Sequence, residues 1–570
     1  MTFVDFVTPV PADWLNNVNT VVNQGTFLSV NNIAALRTLS VATDLGHQPV
    51  LVRSYYSATG VPDGGGGLYL YDATDNTSTD NGGTVIVASD GSRWKLQFTG
   101  FVSLKQFGAH GDGVTDDTTF VQNAINAGVA LVIPAGATVY CATSPVVSLP
   151  GLRFYGPGTF KGQLTIAMPV GTQPFVSILA DVEIDGVTFA NCTNPILCRR
   201  GRGIRVVNCS FNTITGASVQ VRPLAVDFDG DNHCVENLTV ANNFFTFVDY
   251  MVQIDTSQVA SLLGASWWLG NGDTTITGNQ CNVVNITHVT TDRVDGLVVT
   301  DNTFLNFGSG SASTIKRRCV EVTTRGAEVV IQNNQFFESG YEAVYLNYTF
   351  HYNISDNNFV QCGEVTPSSA IFCDFSPLQD SLSTVNACGV IADNTIFDTT
   401  NHAIQLQNQS EVVVTGNAIT LGTGSGYYYG VPSLPTFSSR YGVGTFITAG
   451  GTSSAITVNN NPVYDNVTNQ FNAGGSGTFY RDGIVHYDET GTNTFLNGNY
   501  QQINLNQSSP TTITTVNGGY DGQTIVLLTV NGITTIGTSG NIHTPTGSPV
   551  TLATTNMYFL YKYNGFWYLK

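Results

Sequence analysis

One pattern recurs through the middle of this 570-residue chain: an apolar alternation ending in Asn, any residue, then an apolar residue. It is read in VANNFF, ITGNQC, VTDNTF, IQNNQF, ISDNNF, IADNTI, VTGNAI and VNNNPV, with the asparagines at 243, 279, 302, 334, 357, 394, 417 and 461. Successive intervals are 36, 23, 32, 23, 37, 23 and 44 residues, so a unit of 23 recurs with longer units between. A repeated unit of this size predicts stacked coils, because each coil touches only its neighbours and tolerates insertions that leave the register intact. The asparagines are expected to form an interior ladder, their amides bonding the turn backbones of adjacent coils.

After each Asn motif a second strand alternates strictly, aligned as LAVDFDG, YMVQIDT, THVTTDR, RCVEVTT, EAVYLNY, AIFCDFS and HAIQLQN. Alternation sends Val226, Phe228, Val252, Ile254, Val320, Val322, Val344, Leu346, Ile371, Cys373, Ile404 and Leu406 inward. Two outward columns remain. One holds Asp227, Gln253, Thr290, Glu321, Tyr345, Phe372 and Gln405; the other holds Asp229, Asp255, Asp292, Thr323, Asn347, Asp374 and Gln407. Parallel strands stack ~4.8 Å apart, so these carboxylates are expected to crowd one face, where like charges push a pKa upward.

Composition narrows what such a solenoid can do. Only 11% of residues are charged, 60 are Gly, and 21 basic against 40 acidic side chains give a net charge of −19. That balance argues against nucleic acid or anionic membranes as partners. The start, MTFVDFVTPVPADWLN, has no basic segment followed by a long apolar one, and no apolar run of membrane-spanning length occurs; neither a signal peptide nor membrane insertion is expected. The 10 cysteines include no CxxC pair, and Cys281 and Cys373 fall where neighbouring repeats place Phe, Ile or Leu, which predicts free, buried thiols and folding in a reducing cytoplasm. No metal-ligand spacing is present, and no cofactor is expected.

Upstream of the repeats, FVSLKQFGAHGDGVTDDTTFVQNAINAG starts at Phe101 as a strand, a Gly/Asp turn and a helix of about 117–127. Gly108, Gly111 and Gly113 supply positive-φ turns; Asp112, Asp116 and Asp117 read as turn and cap residues, with Phe120, Val121, Ala124 and Ile125 on the apolar helix face. With Phe107-Gly108-Ala109, Gly111-Asp112-Gly113 and Asp116-Asp117-Thr118 at their spacing, this segment resembles the opening motif of the pectate-lyase-like superfamily of right-handed parallel β-helices. Residues 25–100 are short strands between Gly/Asp/Asn turns, including GGGGLYLYD and DGSRW, and resemble the head of bacteriophage tailspikes. Segment 471–570, with TTITTV, QTIVLLTV, MYFLYKY and FWYLK, resembles tailspike C-terminal caps.

The resemblance implies an all-β chain divided into a virion-attachment segment (1–24), a head (25–100), a right-handed parallel β-helix (101–470) and a trimerising C-terminal β cap (471–570). It also implies a homotrimer on the phage virion, made in the host cytoplasm, attached to tail proteins through its N-terminus and acting outside the host on capsular polysaccharide or O-antigen.

Glycoside hydrolysis needs two carboxyl groups, one protonated and one ionised. Asp227, Asp229, Asp255 and Glu321 are the candidates on the outward columns, with Asp292, Asp374 and Tyr345 behind them. Trp267 and Trp268, directly after the Asp255 strand, can stack on sugar rings; Gln253 and Phe372 line the same columns, and Tyr427, Tyr428 and Tyr429 sit in a late insertion. Arg293, Lys316 and Arg318 could hold an acidic sugar. A lyase reads the same surface otherwise, with Tyr345, Tyr250, His288 or His351 as base and Arg293, Lys316 or Arg318 beside the uronate. A spike that binds without cleaving is the third reading.

Overall fold

The asparagine ladder exists, and its hydrogen bonds are complete. The backbone N–H and side-chain Nδ2 of Asn279 donate to Oδ1 of Asn302, at 2.9 Å each. The same paired bonds run from Asn302 to Asn334, Asn334 to Asn357, Asn357 to Asn394, Asn394 to Asn417 and Asn417 to Asn461. The second Nδ2 hydrogen reaches a strand carbonyl of the preceding coil, Ile276 for Asn302 and Val299 for Asn334. From Asn302 to Asn417 each buried amide thereby fills both donors and its acceptor, as a dry interior requires.

The residue just before each ladder asparagine from Asn279 to Asn417 adopts a left-handed conformation: Asp301, Asn333, Asp356 and Asp393 have φ between 55° and 59°, and Gly278 and Gly416 stand at 65° and 69°. Only Gly, Asn and Asp enter this region at low cost, which explains the Asp/Asn/Gly-Asn dipeptides.

These features belong to a computed structural model that describes residues 28–40, 49–169, 179–227, 233–260, 270–305, 318–363, 368–375, 388–397, 399, 401–420, 443–446, 456–459, 461, 463–464, 471–473, 479–482, 486–489, 495–497, 502–505, 509–517, 521–529, 532–554 and 556–570. The 1–24 segment, Phe228, Asp229, Trp267, Trp268, Lys316 and Tyr427 to Tyr429 lie outside them. Two compact units divide near Ile276.

In the first unit a small sheet precedes the coils. Leu28–Val30 pairs parallel with Val50–Val52, which pairs antiparallel with Gly67–Tyr71; Arg93–Gln97 and Val85–Val87 complete it. Tyr69 and Trp94 form its buried centre. The chain then enters a 3-10 turn, Leu104–Phe107, closed by a Ser103/Gln106 capping box and by Gly108 at φ 100°. Helix Thr118–Asn126 follows, burying Val121, Ala124 and Ile125 as expected, while Phe120 stays half-exposed. Asp117 does not cap it. Its buried carboxylate instead accepts from the N–H groups of His110 and Gly111, at 2.7 and 3.0 Å, and Asp116 takes the Thr118 N–H.

From there three parallel sheets share each coil. Leu131, Phe154, Ile184, Val206 and Val240 are successive register partners on one sheet, and Val139, Phe160, Phe189, Phe211 and Phe245 on the second. On the third, Thr165, Leu197, Gln220 and Gln253 are in register. Inside, Phe189, Phe211 and Phe245 stack with centroids 5.1 and 4.8 Å apart, a β-solenoid core of offset rings.

The second unit repeats this plan. Its third sheet aligns Val320, Val344, Ile371, Ile404 and Val443, all buried, and its second aligns Phe304, Phe336, Phe359, Ile396 and Ile419. The inward assignments from Val252 to Leu406 hold. Cys281 and Cys373 are fully buried, in register with Phe304 and Leu346, and burial pushes the Cys373 thiol up to about 12. At the C-terminus Thr524–Thr529 pairs parallel with Gln502–Leu505 and antiparallel with Met557–Tyr563, over a core holding Leu527, Leu560 and Trp567.

The exception is LAVDFDG, whose described residues 224–227 form no strand. The third-sheet strand of that coil is Val219–Val221, two residues before Pro223, and Ala225–Asp227 is a 3-10 turn with Val226 exposed. Proline cannot donate to a strand ladder, so the chain leaves the sheet there.

Candidate functional site

Strand alternation carries the outward columns to solvent, but arginines meet the acids. In the second unit Glu321, Tyr345, Phe372 and Gln405 are successive register partners, preceded by Thr290, and all are half-buried. Arg318, three residues before Glu321 on the same strand, bonds the Glu321 carboxylate through Nη1. Its Nε meets Oε2 of Glu342 at 2.8 Å, and its Cζ lies 3.8 Å from the Tyr345 ring centroid. Phe372 meets Tyr345 edge-on at 5.5 Å. The Thr290 hydroxyl stands 3.5 Å from Glu321 Oε2.

The electrostatics follow from this packing. Burial works against the Arg318 charge, yet Glu342 and Glu321 together hold its pKa above the ordinary arginine value. The Tyr345 phenol is pushed up, by burial first and then by Asp374, Glu342 and Glu321, against the pull of Arg318. Such a phenol keeps its proton and donates it in hydrogen bonds. Two carboxyl groups meet one guanidinium beside an aromatic wall, with Glu342 buried and Glu321 half-buried, and such a patch can bind a polar ring and pass protons.

The other candidates fall elsewhere. Asp374 holds its expected register between Asn347 and Gln407, but it is buried and bonded by Gln407 Nε2 and Asn408 Nδ2 at 3.0 and 3.2 Å. Asp292 lies in a register shift between Thr291 and Arg293, so it does not stack on Thr323 as the alignment had it. His288 is fully buried, 5.0 Å from the Phe304 ring, which is a core position and no place for a base. His351 is exposed on Thr349–Ser355, a strand of another sheet than Tyr345. Among the described residues no cluster of His, Cys, Asp and Glu could hold a metal ion.

In the first unit Gln220 donates to Gln253 across coils at 2.8 Å. Asp255 sits 3.4 Å from Arg222 Nε and accepts from the Ser257 N–H and hydroxyl at 3.1 and 2.5 Å. Asp227, 7% exposed, is gripped by Arg199 at 2.9 and 2.8 Å and accepts the Leu224 N–H at 2.7 Å; Arg200 bonds its carbonyl. Three of the about four acceptor directions of its carboxylate are spent on bracing the turn. Sequence reasoning missed Glu342, Arg199, Arg222 and Gln220. Arg222 could have been found, since it directly follows SVQV as Asp255 follows MVQI.

With this geometry fixed, residues 29–99 match the family described as the phage tail protein small four-stranded beta-sheet domain. The N-terminal sheet is thus similar to a phage-tail β domain. A defective tail fibre protein of a Mu-like prophage in Haemophilus influenzae is 39% identical over 89 residues, 15% of this chain and 13% of that protein. The chain thus spans about an eighth of the relative it matches. Among solved structures, the tailspike protein of Acinetobacter baumannii phage AM24 is similar over 82% of this chain and 69% of its own, at 16% identity and a TM-score of 0.43. Tailspike protein gp49 of Acinetobacter baumannii bacteriophage Fri1, a capsular polysaccharide depolymerase, is similar over 85% and 72%, at 13% identity and a TM-score of 0.36.

Proposed function

We propose that this protein is a phage tailspike that binds and depolymerises a bacterial surface polysaccharide, capsule or O-antigen, by glycoside hydrolysis. The solenoid is read as a right-handed helix of the pectate-lyase type, the chain as a homotrimer and the phage-tail β domain as its attachment to the virion. The observation that carries the reading is the pair Glu321 and Glu342, brought from adjacent coils onto one arginine beside Tyr345 and Phe372. In this reading one carboxyl donates its proton to the glycosidic oxygen while the other acts on water or the anomeric carbon. Arg318 orients both, and Phe372 stacks a sugar. Asp255, Asp229 and Gln253, with Trp267 and Trp268, are proposed as glycan-binding residues in their own right, and Asp227 as a brace.

The Arg318–Tyr345 contact also suits a second reading, β-elimination from a uronate, in which Tyr345 takes the C5 proton. The upward shift of the phenol weighs against that base. The test is incubation with capsules and O-antigens from many strains. New reducing ends without the ultraviolet absorbance of an unsaturated uronate support hydrolysis; that absorbance identifies a lyase; capture without cleavage identifies a binding spike.

A further inference from the structure

Beyond Tyr345 the outward column of the second unit changes character within three coils. Tyr345, Phe372, Gln405 and Gly444 are successive register partners, so the row passes from two aromatic rings to one amide and then to bare backbone. Phe372 and Gln405 are half-buried and point away from the inward Ile371, Cys373, Ile404 and Leu406. A neutral amide thus stands at the edge of an aromatic ring, and on its other side the row of side chains stops.

The amide is held in one orientation. Ser369, 1% exposed in the turn before Ile371, donates its hydroxyl to Oε1 of Gln405 at 2.9 Å. Among the described residues Gln405 makes no other hydrogen bond, so its acceptor is engaged from below and both Nε2 hydrogens remain for a partner outside the protein. Gln407, on the same strand, shows the opposite use: its Nε2 donates to Oδ2 of Asp374 at 3.0 Å, within the protein. Ordering a glutamine side chain costs rotamer freedom that one neutral hydrogen bond offsets only in part, so a buried serine aiming an outward amide points to a ligand that completes the balance.

The chemistry of that ligand follows from the groups present. Two N–H donors beside an apolar ring suit a neutral carbonyl that carries a methyl group: the oxygen takes Nε2 and the methyl lies against Phe372. A hydroxyl would use a donor and an acceptor together, and Ser369 already holds the acceptor. Phe372 stands two strand spacings from Glu321, about 10 Å, so one oligosaccharide can touch both places.

We infer that Phe372 and Gln405, with Ser369 as the positioning residue, form a subsite for an acetyl group borne by the glycan, so that the polysaccharide this protein acts on is acetylated. The inference rests on the depolymerase reading and names its substrate class. The carbonyl and methyl are shared by N-acetyl and O-acetyl groups, and the experiment separates the two.

The full-length protein is to be screened by surface plasmon resonance against immobilised capsules and O-antigens, acetylated and unacetylated. Capture of acetylated polymers is expected, weakened about tenfold once the acetyl groups are removed, by mild alkali from oxygen or by hydrazine from nitrogen. Gln405→Met keeps the length and neutrality of the side chain; it should lose about tenfold in affinity for the acetylated polymer and nothing for the deacetylated one. Ser369→Ala frees the amide to turn and should lose a smaller part, again for the acetylated polymer alone. Melting curves that match the wild type establish that the variants fold. Weakening by mild alkali assigns the acetyl group to oxygen, and weakening by hydrazine alone assigns it to nitrogen. Equal capture of acetylated and deacetylated polymers, or unchanged binding by Gln405→Met, overturns the subsite and leaves the depolymerase reading standing. Acetyl-dependent capture without cleavage keeps the subsite and overturns the depolymerase reading, while no capture of any polysaccharide overturns both.

Discussion

An arginine beside a carboxylate serves stability or chemistry according to how much of the carboxylate remains open. Asp227 is closed: two nitrogens of Arg199 and a backbone N–H hold it in a buried turn. Asp227→Asn leaves Arg199 short of a partner, so stability should fall by about 3 kcal/mol in chemical denaturation, while turnover per folded molecule stays at the wild-type level. Glu321 is the more open case, and Glu342, though nearly as buried as Asp227, meets Arg318 through one of its oxygens. Glu321→Gln and Glu342→Gln should each lower polymer cleavage by roughly 10²-fold or more, the usual scale of acid–base catalysis, with binding retained. Wild-type cleavage by both variants would return the acids to a structural role and move attention to Asp255. Glu321, Tyr345 and Phe372 were legible in the sequence because alternation within one strand decides which side chains face out. Glu342 was not, since it precedes its strand, and only the register of Val320 with Val344 carries it up to Arg318. Another residue of this kind is His402, in the turn before Ile404. Burial lowers its pKa from 6.5 to about 4, so it is neutral when folded. A lowered histidine pKa means that the unfolded chain binds the proton first. The contribution is complete above pH 6.5 and is lost as pH falls towards 4, at up to about 1.4 kcal/mol per unit. Denaturation midpoints near neutrality and at about pH 5 should therefore fall further for the wild type than for His402→Gln.

At the scale of the coil, the asparagine ladder was the most legible element because its spacing, apolar flanks and small left-handed neighbour all recur together. Asn334 shows what one rung holds. It accepts from the N–H and Nδ2 of Asn302 and donates to Asn357 and to the Val299 carbonyl. Asn334→Leu or Asn357→Leu strands those groups in a dry interior, and each should cost about 1–3 kcal/mol or more in thermal or chemical unfolding. Unchanged stability in both would mean that the rungs bear no load. The misread element, LAVDFDG, shows the limit of periodicity: Ala225, Asp227 and their neighbours alternate as a strand does, over too few residues to distinguish a strand from a turn. Pro223 was the better signal, because a missing N–H is a physical bar to the sheet whereas alternation is only a preference.

For the whole molecule, the sheet similar to a phage-tail β domain and the aromatic strands near residue 570 bear on assembly. Along Met557–Tyr563 alternate side chains split by face: Leu560 joins the core with Trp567, while Met557, Phe559 and Tyr563 are 59%, 39% and 62% exposed. Phe566, on the hairpin partner strand, is exposed as well. An apolar row on the outer face of a small sheet is costly in water, and a second and third copy of the same strand could cover it around a threefold axis. Sedimentation should accordingly give three chains per particle at micromolar concentration. Replacing Phe559 and Phe566 together with Ser spares the inward Leu560 and Trp567, so the sheet should still fold while the particle falls to single chains. A wild-type monomer would overturn the trimer. A trimer that survives the double substitution would place its contacts away from this face, and the phage-tail domain would become the next surface to alter.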